Sequence, residues 1–373
     1  MPLSDHRLVY TDGIAREFSK NGHDVTVIVQ KSENKSQFND ISYKIIQLKG
    51  EIYTIKGNIV FSSELYKYLK KNNFDVIHAK NPFSSAFAPL LLKILGKKFK
   101  LFYDMRGLWI DFLIDVREKR KTYVHTIMQY LENIIMSSCD GVIWISDEMN
   151  RVLTARGVTP KKIHITYGDG ADVSRLTALE IKDIRKYLHI DGKVIGYLGS
   201  VSKGRSSEKI IEAFRYVKDE IQDCHLVFIG PVTHMDSMLE YVNKYNLNNS
   251  VHFTGFMTTH DEAISYTKSF DLALAYHDID KNSINVMVPT KILEYLACGL
   301  PIIATNHIAH KNILTHNYSA FLTNASPKEF AEGIIKILYD NQQKENIAAN
   351  AKKESEKYTF SNISKKLLNY YQN

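Results

Sequence analysis

Apolar positions in this chain fall in two rhythms: stripes recurring every three or four residues, and short unbroken runs. Residues 11–21 carry Ile14, Ala15 and Phe18 on one helical face, and Gly22-His23 ends the stripe. Val25-Thr-Val-Ile-Val29 follows, an apolar run of strand length. The pair repeats, with helical spacing over 64–72, 87–95 and 124–136 and segments of strand length with apolar centres at 75–79, 100–104 and 141–146. Runs at 194–198, 226–229, 251–253, 272–275 and 302–304 carry the pattern through the second half. Unbroken apolar runs suit strands buried on both faces, and their alternation with helices predicts an α/β protein with doubly wound parallel sheets. At 373 residues the chain is too long for one ordinary domain and fits two. The boundary is expected near 172, with a hinge running from 169 into the polar stretch that ends at 192.

Composition narrows the class. Hydrophobic residues make up 44% and charged residues 24%, the balance of a packed globular protein and not of a disordered one. No apolar run is long enough to span a bilayer, and the first residues do not read as a secretory leader. Cys139, Cys224 and Cys298 lack metal-ligand spacing and sit among apolar neighbours, which predicts buried free thiols in a reducing cytoplasm. Positive charge is uneven: residues 1–172 hold 25 Lys+Arg against 19 Asp+Glu, and the remainder 23 against 22. Lys93, Lys97, Lys98 and Lys100 follow the apolar Phe87-Ala-Pro-Leu-Leu-Leu run, and Arg117, Lys119, Arg120 and Lys121 form a second cluster. The first reads either as a basic amphipathic element resting on an anionic membrane surface, peripheral on the inner face, or as a solvated basic face. No stacking aromatic ladder accompanies these residues, so nucleic acid is not expected as a partner.

The strongest chemical signal is Val288-Pro-Thr-Lys-Ile-Leu-Glu-Tyr-Leu-Ala-Cys-Gly-Leu-Pro-Ile-Ile-Ala-Thr305. Pro289 suits a first helical turn, Gly299 a left-handed stop, and Ile302-Ile-Ala304 a buried strand. Lys291 and Glu294 share one face near the helix N-terminus, where unpaired N–H groups and the dipole favour an anion. A lysine for phosphate and a carboxylate for sugar hydroxyls meet the needs of a nucleoside diphosphate. The same pair also occurs simply as an exposed ion pair. The whole segment resembles the donor-site segment of family-4 glycosyltransferases, enzymes of the GT-B architecture. Glu294 matches the second glutamate of that family's paired motif, while the first falls on Val286, which supplies no carboxylate. The chain is similar to the branch that carries Pro-Thr-Lys ahead of the helix.

The resemblance implies two Rossmann-like doubly wound domains facing a cleft, with 1–172 on the acceptor side and 173–354 binding the donor. A C-terminal helix at 355–373 is expected to pack back on the first domain. Family members begin with a strand and a Gly-rich loop; Met1-Pro-Leu-Ser-Asp-His-Arg7 reads as the end of that loop, so the first strand is expected to be missing. By the same resemblance Thr290 and Lys291 hold the donor diphosphate and Glu294 the ribose. In Ile195-Gly-Tyr-Leu-Gly-Ser-Val-Ser-Lys-Gly-Arg205 the family places an arginine and a lysine after the glycine turn. Here Ser200 and Arg205 stand at those positions, with Lys203 in the same loop. Lys203 and Arg205 are therefore expected to neutralise the leaving diphosphate, arginine through two parallel N–H bonds. Val251-His-Phe-Thr-Gly-Phe-Met257 resembles the base-bordering segment and nominates Phe256 and Met257, although a strand-end glycine turn explains the same residues. Asp278, Asp280 and Asn282 precede Pro289, either touching sugar hydroxyls or merely solvated.

In the first domain Tyr103-Asp-Met-Arg-Gly-Leu-Trp109 ends a strand, where doubly wound domains present ligand-binding side chains. It resembles the branch's Asp-Met-Arg-Gly-Phe-Trp-x-Asp and makes Arg106 and Asp104 the catalytic candidates, Arg106 as a cation for the departing phosphate. Asp104 and Asp111 would orient the arginine or the acceptor; an Asp–Arg pair that only ties down the loop is the alternative. His78, at another strand end, is an acceptor-side candidate or a buried, hydrogen-bonded histidine. No metal-ligand spacing is present, so no metal or other cofactor is expected and the nucleotide-sugar is a substrate. The resemblance implies a glycosyltransferase working with retention on a glycan or lipid-linked acceptor in bacterial cell-surface polysaccharide synthesis, its cleft closing to exclude water. Two other readings share the architecture: a catalytically silent partner subunit or glycan-binding protein, and a sugar-nucleotide epimerase.

Overall fold

The computed structural model describes residues 8–31, 42–50, 54–115, 122–158, 165–166, 170–201, 206–278 and 280–372. The chain forms two compact units, Met1–Gly170 with Lys281–Met287 and Phe360–Asn373, and Ala171–Asp280 with Val288–Thr359.

In the first unit β1 (Thr26–Gln30) pairs in parallel with β2 (Lys44–Leu48). A second parallel sheet runs β3 (Val76–Ala79), β4 (Lys100–Met105), β5 (Gly141–Trp144), β6 (Ile165–Thr166). All four residues of β5 are buried, which explains its unbroken apolar sequence, and the last five of β4 are buried too, Asp104 among them. Helices Leu8–Lys20 and Phe360–Gln372 cover one side through Tyr10, Ile14, Phe360 and Leu367 against Phe102 and Ile143. Phe61, Leu65 and Leu69 of helix Ile55–Lys71 pack with Ala88 and Leu92 in a separate cluster. Among the described residues β1 and β3 each pair on one side only. The expectation of a missing strand ahead of them concerns residues 1–7, which lie outside the described residues.

The second unit is one parallel sheet built from β7 (Lys193–Leu198), β8 (Cys224–Ile229), β9 (Val251–Phe253), β10 (Leu272–Ala275), β11 (Ile302–Thr305) and β12 (Phe321–Thr323). Its order is β12-β11-β10-β7-β8-β9, so the direction of winding reverses between β7 and β10. In such sheets ligands bind beyond the carboxyl ends of the strands at that switch point. Ile210, Ile211 and Phe214 face the core, as their helical spacing predicts.

The structure differs from the sequence reading in three places. The polar stretch 173–192 is not a loose hinge: helices Val173–Ala178 and Ile184–Leu188 fold onto the second unit. Arg185 fastens the second, its side chain donating to Gly192 O at 2.8 Å and Ser269 O at 3.0 Å, and Lys268 holds the first, donating to Thr177 O at 2.9 Å. Residues 281–287, expected in the donor domain, belong to the first unit. Ser283 to Val286 are buried there, and Val286 O accepts the Ser146 hydroxyl at 2.8 Å. The helix expected from 355 begins at Phe360.

Candidate functional site

The carboxyl ends of β7 and β10 are bridged by one side chain. Tyr295, fully buried in helix Thr290–Cys298, accepts from Leu198 N at 2.8 Å and donates to Leu274 O at 3.3 Å. This fixes the helix tip over the switch point. The helix runs from Thr290, with Pro289 as its N-cap and not inside the first turn, and it ends in a left-handed Gly299 at φ 64°, as predicted. Thr290 is exposed, and Lys291 is half-buried with Nζ 3.3 Å from the centre of the Tyr197 ring. A Cβ on Gly199 would sit 3.4 Å from that Nζ, and the φ of +124° at Gly199 strains any other residue. The loops after β7 and β10 meet where the Ser206 hydroxyl donates to Asp278. A lysine, a helix N-terminus and a glycine turn thus converge at one corner, an arrangement suited to a phosphate. Lys203 and Arg205 lie outside the described residues.

Glu294 lies on the same helix, partly exposed, and its Oε1 is 2.8 Å from His260 Nε2. That hydrogen bond raises the His260 pKa against the opposing effect of burial. Past β9, Gly255 O accepts from Gly230 N at 3.1 Å, leaving Phe256 82% exposed and Met257 half-buried. Beside the corner lies a feature the sequence did not signal. His277 follows β10, and His307 and His310 follow β11. The His277 and His310 rings stack at 4.8 Å, with His307 against both. Thr305 Oγ1 accepts from His277 N at 2.9 Å and donates to His277 O at 2.8 Å. Buried His310 donates Nδ1–H to Thr305 O at 2.8 Å; burial drives its pKa down to about 3, and the nearby Lys291 charge adds to the fall.

The first unit gathers His78, Asp104 and Arg106 into one network at the ends of β3 and β4. Asp104 is fully buried, accepting on Oδ2 from Arg106 Nη2 at 2.8 Å, Arg106 Nε at 3.0 Å and His78 Nε2 at 2.8 Å. Burial alone would raise its pKa, but Arg106 and the His78 bond outweigh burial and hold the carboxyl well below the usual range. Arg106 stacks 3.6 Å from the Tyr10 ring centre, and Lys80 reaches Thr11 Oγ1 at 2.6 Å. Burial lowers the His78 pKa against the pull of Asp104, and its Nδ1 is hydrogen-bonded with the Tyr371 hydroxyl. Both ring nitrogens of His78 are therefore engaged by the protein, as its hydrogen-bonded alternative expects. Through these bonds Asp104 is placed to orient Arg106. Asp111 likewise serves Arg156, at 2.5 and 3.0 Å, and Gln129. Cys139 and Cys224 are buried and Cys298 partly so. Among the described residues no group of His, Cys, Asp and Glu could hold a metal ion.

Two doubly wound units, one with an anion-suited corner at its switch point, define the GT-B class. Residues 9–168 match the model of Glycosyltransferase Family 4 and residues 180–354 that of Glycosyl transferases group 1. Together they span most of the chain, which belongs to the family-4 glycosyltransferases. Spore coat protein SA of Bacillus subtilis (strain 168) is 22% identical over 380 residues, covering 98% of this chain and 93% of its own. The N,N'-diacetylbacillosaminyl-diphospho-undecaprenol alpha-1,3-N-acetylgalactosaminyltransferase of Campylobacter jejuni is 20% identical over 361 residues, covering 93% and 90%. Anabaena HepE, solved in complex with UDP and glucose, superposes with a TM-score of 0.73 at 14% identity, over 99% of this chain and 96% of that one. That likeness shows the GT-B fold.

Proposed function

We propose that the protein transfers a sugar, with retention, from a nucleotide-sugar to a glycan or lipid-linked acceptor in bacterial cell-surface polysaccharide synthesis. The observation that carries this reading is Lys291 beside Gly199 at the switch point, on a helix tip pinned by Tyr295. In it the N-terminal N–H groups at Thr290 and the Lys291 ammonium take the diphosphate, joined by Lys203 and Arg205. Glu294 takes the ribose, exchanging its bond to His260 for one to a hydroxyl, and Phe256 and Met257 border the base. Charge stabilisation of the leaving diphosphate is the main catalytic contribution, needing no resident metal. Arg106, aligned by Asp104, is the catalytic cation of the first unit. The UDP bound by HepE and the lipid diphosphate in the name of the Campylobacter relative support the donor and acceptor classes. Among the described residues no helix is long and apolar enough to cross a membrane. In this reading a lipid-linked acceptor is met at the surface, on the inner face.

Val286 favours a second reading, a catalytically silent glycan-binding or partner protein. It stands where the family has an acid, and its side chain is fully buried in the first unit. Thermal unfolding with a panel of UDP-, GDP- and dTDP-sugars, followed by transfer and hydrolysis assays, separates the two. Stabilisation by one sugar nucleotide together with turnover supports the enzyme, since ligand binding raises stability by mass action. Binding without turnover supports the silent protein, and epimerisation without acceptor supports neither. No stabilisation at millimolar ligand removes the donor assignment.

A further inference from the structure

Helix His260–Thr267 is capped by Thr259, whose hydroxyl oxygen accepts from Glu262 N at 3.1 Å. His260 therefore holds the first helical position, where unpaired N–H groups and the dipole disfavour a cation. Its Nε2 nevertheless lies 2.8 Å from Glu294 Oε1. Between an imidazole and a carboxylate the hydrogen sits on nitrogen, so Nε2 donates. The side chain of His260 is 51% exposed and that of Glu294 16%. The imidazole is thus the solvent-side partner and stands over the carboxylate. A hydroxyl that reaches Glu294 from solvent takes the place the imidazole holds.

The surrounding charges show what keeps a proton on His260. The hydrogen bond to Glu294 raises its pKa above the ordinary 6.5, while burial opposes that rise. Arg175 and Asp261 pull in opposite directions. Arg175 lies on helix Val173–Ala178, which packs against helix Thr290–Cys298, and it pairs with Asp261. Glu262, the other acid in the first turn, accepts from Thr258 N at 3.0 Å and lies 3.4 Å from Lys182. Once Glu294 turns away, burial and the helix dipole both oppose a charged imidazole, and the neighbouring acids are already committed. A ligand that engages Glu294 therefore displaces a proton, and by linkage a proton on His260 displaces the ligand.

We propose that His260 is a positioning residue of the donor site: it holds Glu294 in the free protein and yields it, with release of a proton, to the ribose of the sugar nucleotide. This deepens the donor reading above and rests on it. The test is calorimetric titration of the full chain with UDP-glucose, or with the GDP- or dTDP-sugar that stabilises it more. A diphosphate esterified at both ends does not titrate near neutrality, so the pH dependence belongs to the protein. Affinity is expected to rise about fivefold from roughly pH 6 to 8, the range in which histidine titrates. Near neutral pH, titrations in phosphate and in Tris should show release of about half a proton per nucleotide bound. His260→Gln keeps a hydrogen-bond donor without a titrating group, at a side chain half in solvent, and should flatten the profile and abolish the release. A histidine that only supported the fold would move neither readout. Wild-type affinity that stays level or falls as pH rises overturns the proposal. So does a His260→Gln protein that releases as much proton as wild type, which would assign the proton to another group such as His277 or His307. Binding without proton release removes the role of His260 alone, whereas no binding at any pH removes the donor assignment and this inference with it.

Discussion

Tyr295→Phe removes one oxygen from the second unit and leaves the ring's packing in place. That oxygen accepts from Leu198 N at 2.8 Å and donates to Leu274 O at 3.3 Å. Tyr295 is fully buried and Leu198 5% exposed, so water cannot replace the lost partner. A buried N–H left unsatisfied costs about 1–3 kcal/mol. For a cooperative body of roughly 150–250 residues each kcal/mol lowers Tm by about 2–4 °C, which gives a fall of roughly 2–12 °C. Differential scanning calorimetry without ligand measures it. Affinity for a nucleoside diphosphate should fall as well, because the helix tip loses its tie to β7 and β10. A change in Tm below about 1 °C with unaltered affinity would show that the hydroxyl does not pin the helix.

Three further outcomes follow from the same geometry. Asp104→Asn strips Arg106 and His78 of a shared buried carboxylate and should destabilise the first unit by about 3 kcal/mol in denaturant titration. Because the Asp104 pKa is depressed, the stability it confers is present above the ordinary carboxylate range and is lost only as pH falls through the folded value. His310 behaves alike at higher pH: its pKa drops from 6.5 to about 3 on folding, so the unfolded chain takes up the proton first. Stability should be full above 6.5 and fall by about 2 kcal/mol towards pH 5, a slope that His310→Gln should flatten in thermal unfolding across that window. Glu294→Ala should weaken nucleotide binding by about tenfold in calorimetric titration with the fold intact; unchanged affinity would remove Glu294 from the site.

What could be read from the chain was whatever local chemistry dictates. Pro289, Gly299 and Pro301 mark the helix and its stop, and Gly299 does adopt the left-handed conformation. The unbroken runs of β4, β5, β8 and β10 are largely buried because each lies in the interior of a parallel sheet. β2 carries no such signal, because Lys44 and Gln47 interrupt the apolar run of Lys44-Ile-Ile-Gln-Leu48 and both are exposed. Residues 281–287 carry no local sign that they leave one unit for the other, since burial of Ile284 and Val286 depends on contacts distant in sequence. Glu294 was recognisable from its helix, but His260 lies 34 positions away. Likewise Asp104, Arg106 and His78 stood out singly, while Tyr371, 293 positions from His78, completes their network from the last helix. The histidines around Thr305 form no motif; only the pairing of β10 with β11 brings them together.

The central claim is that the corner formed by Gly199, Tyr197 and the Thr290–Lys291 helix tip holds a pyrophosphate. A crystal structure of the protein soaked with the sugar nucleotide that stabilises it most tests this directly. Phosphate oxygens are expected within hydrogen-bonding distance of Lys291 Nζ and of the N–H groups at the start of helix Thr290–Cys298, with a ribose hydroxyl on Glu294. Nucleotide density elsewhere, with Lys291 still folded over Tyr197, would contradict it.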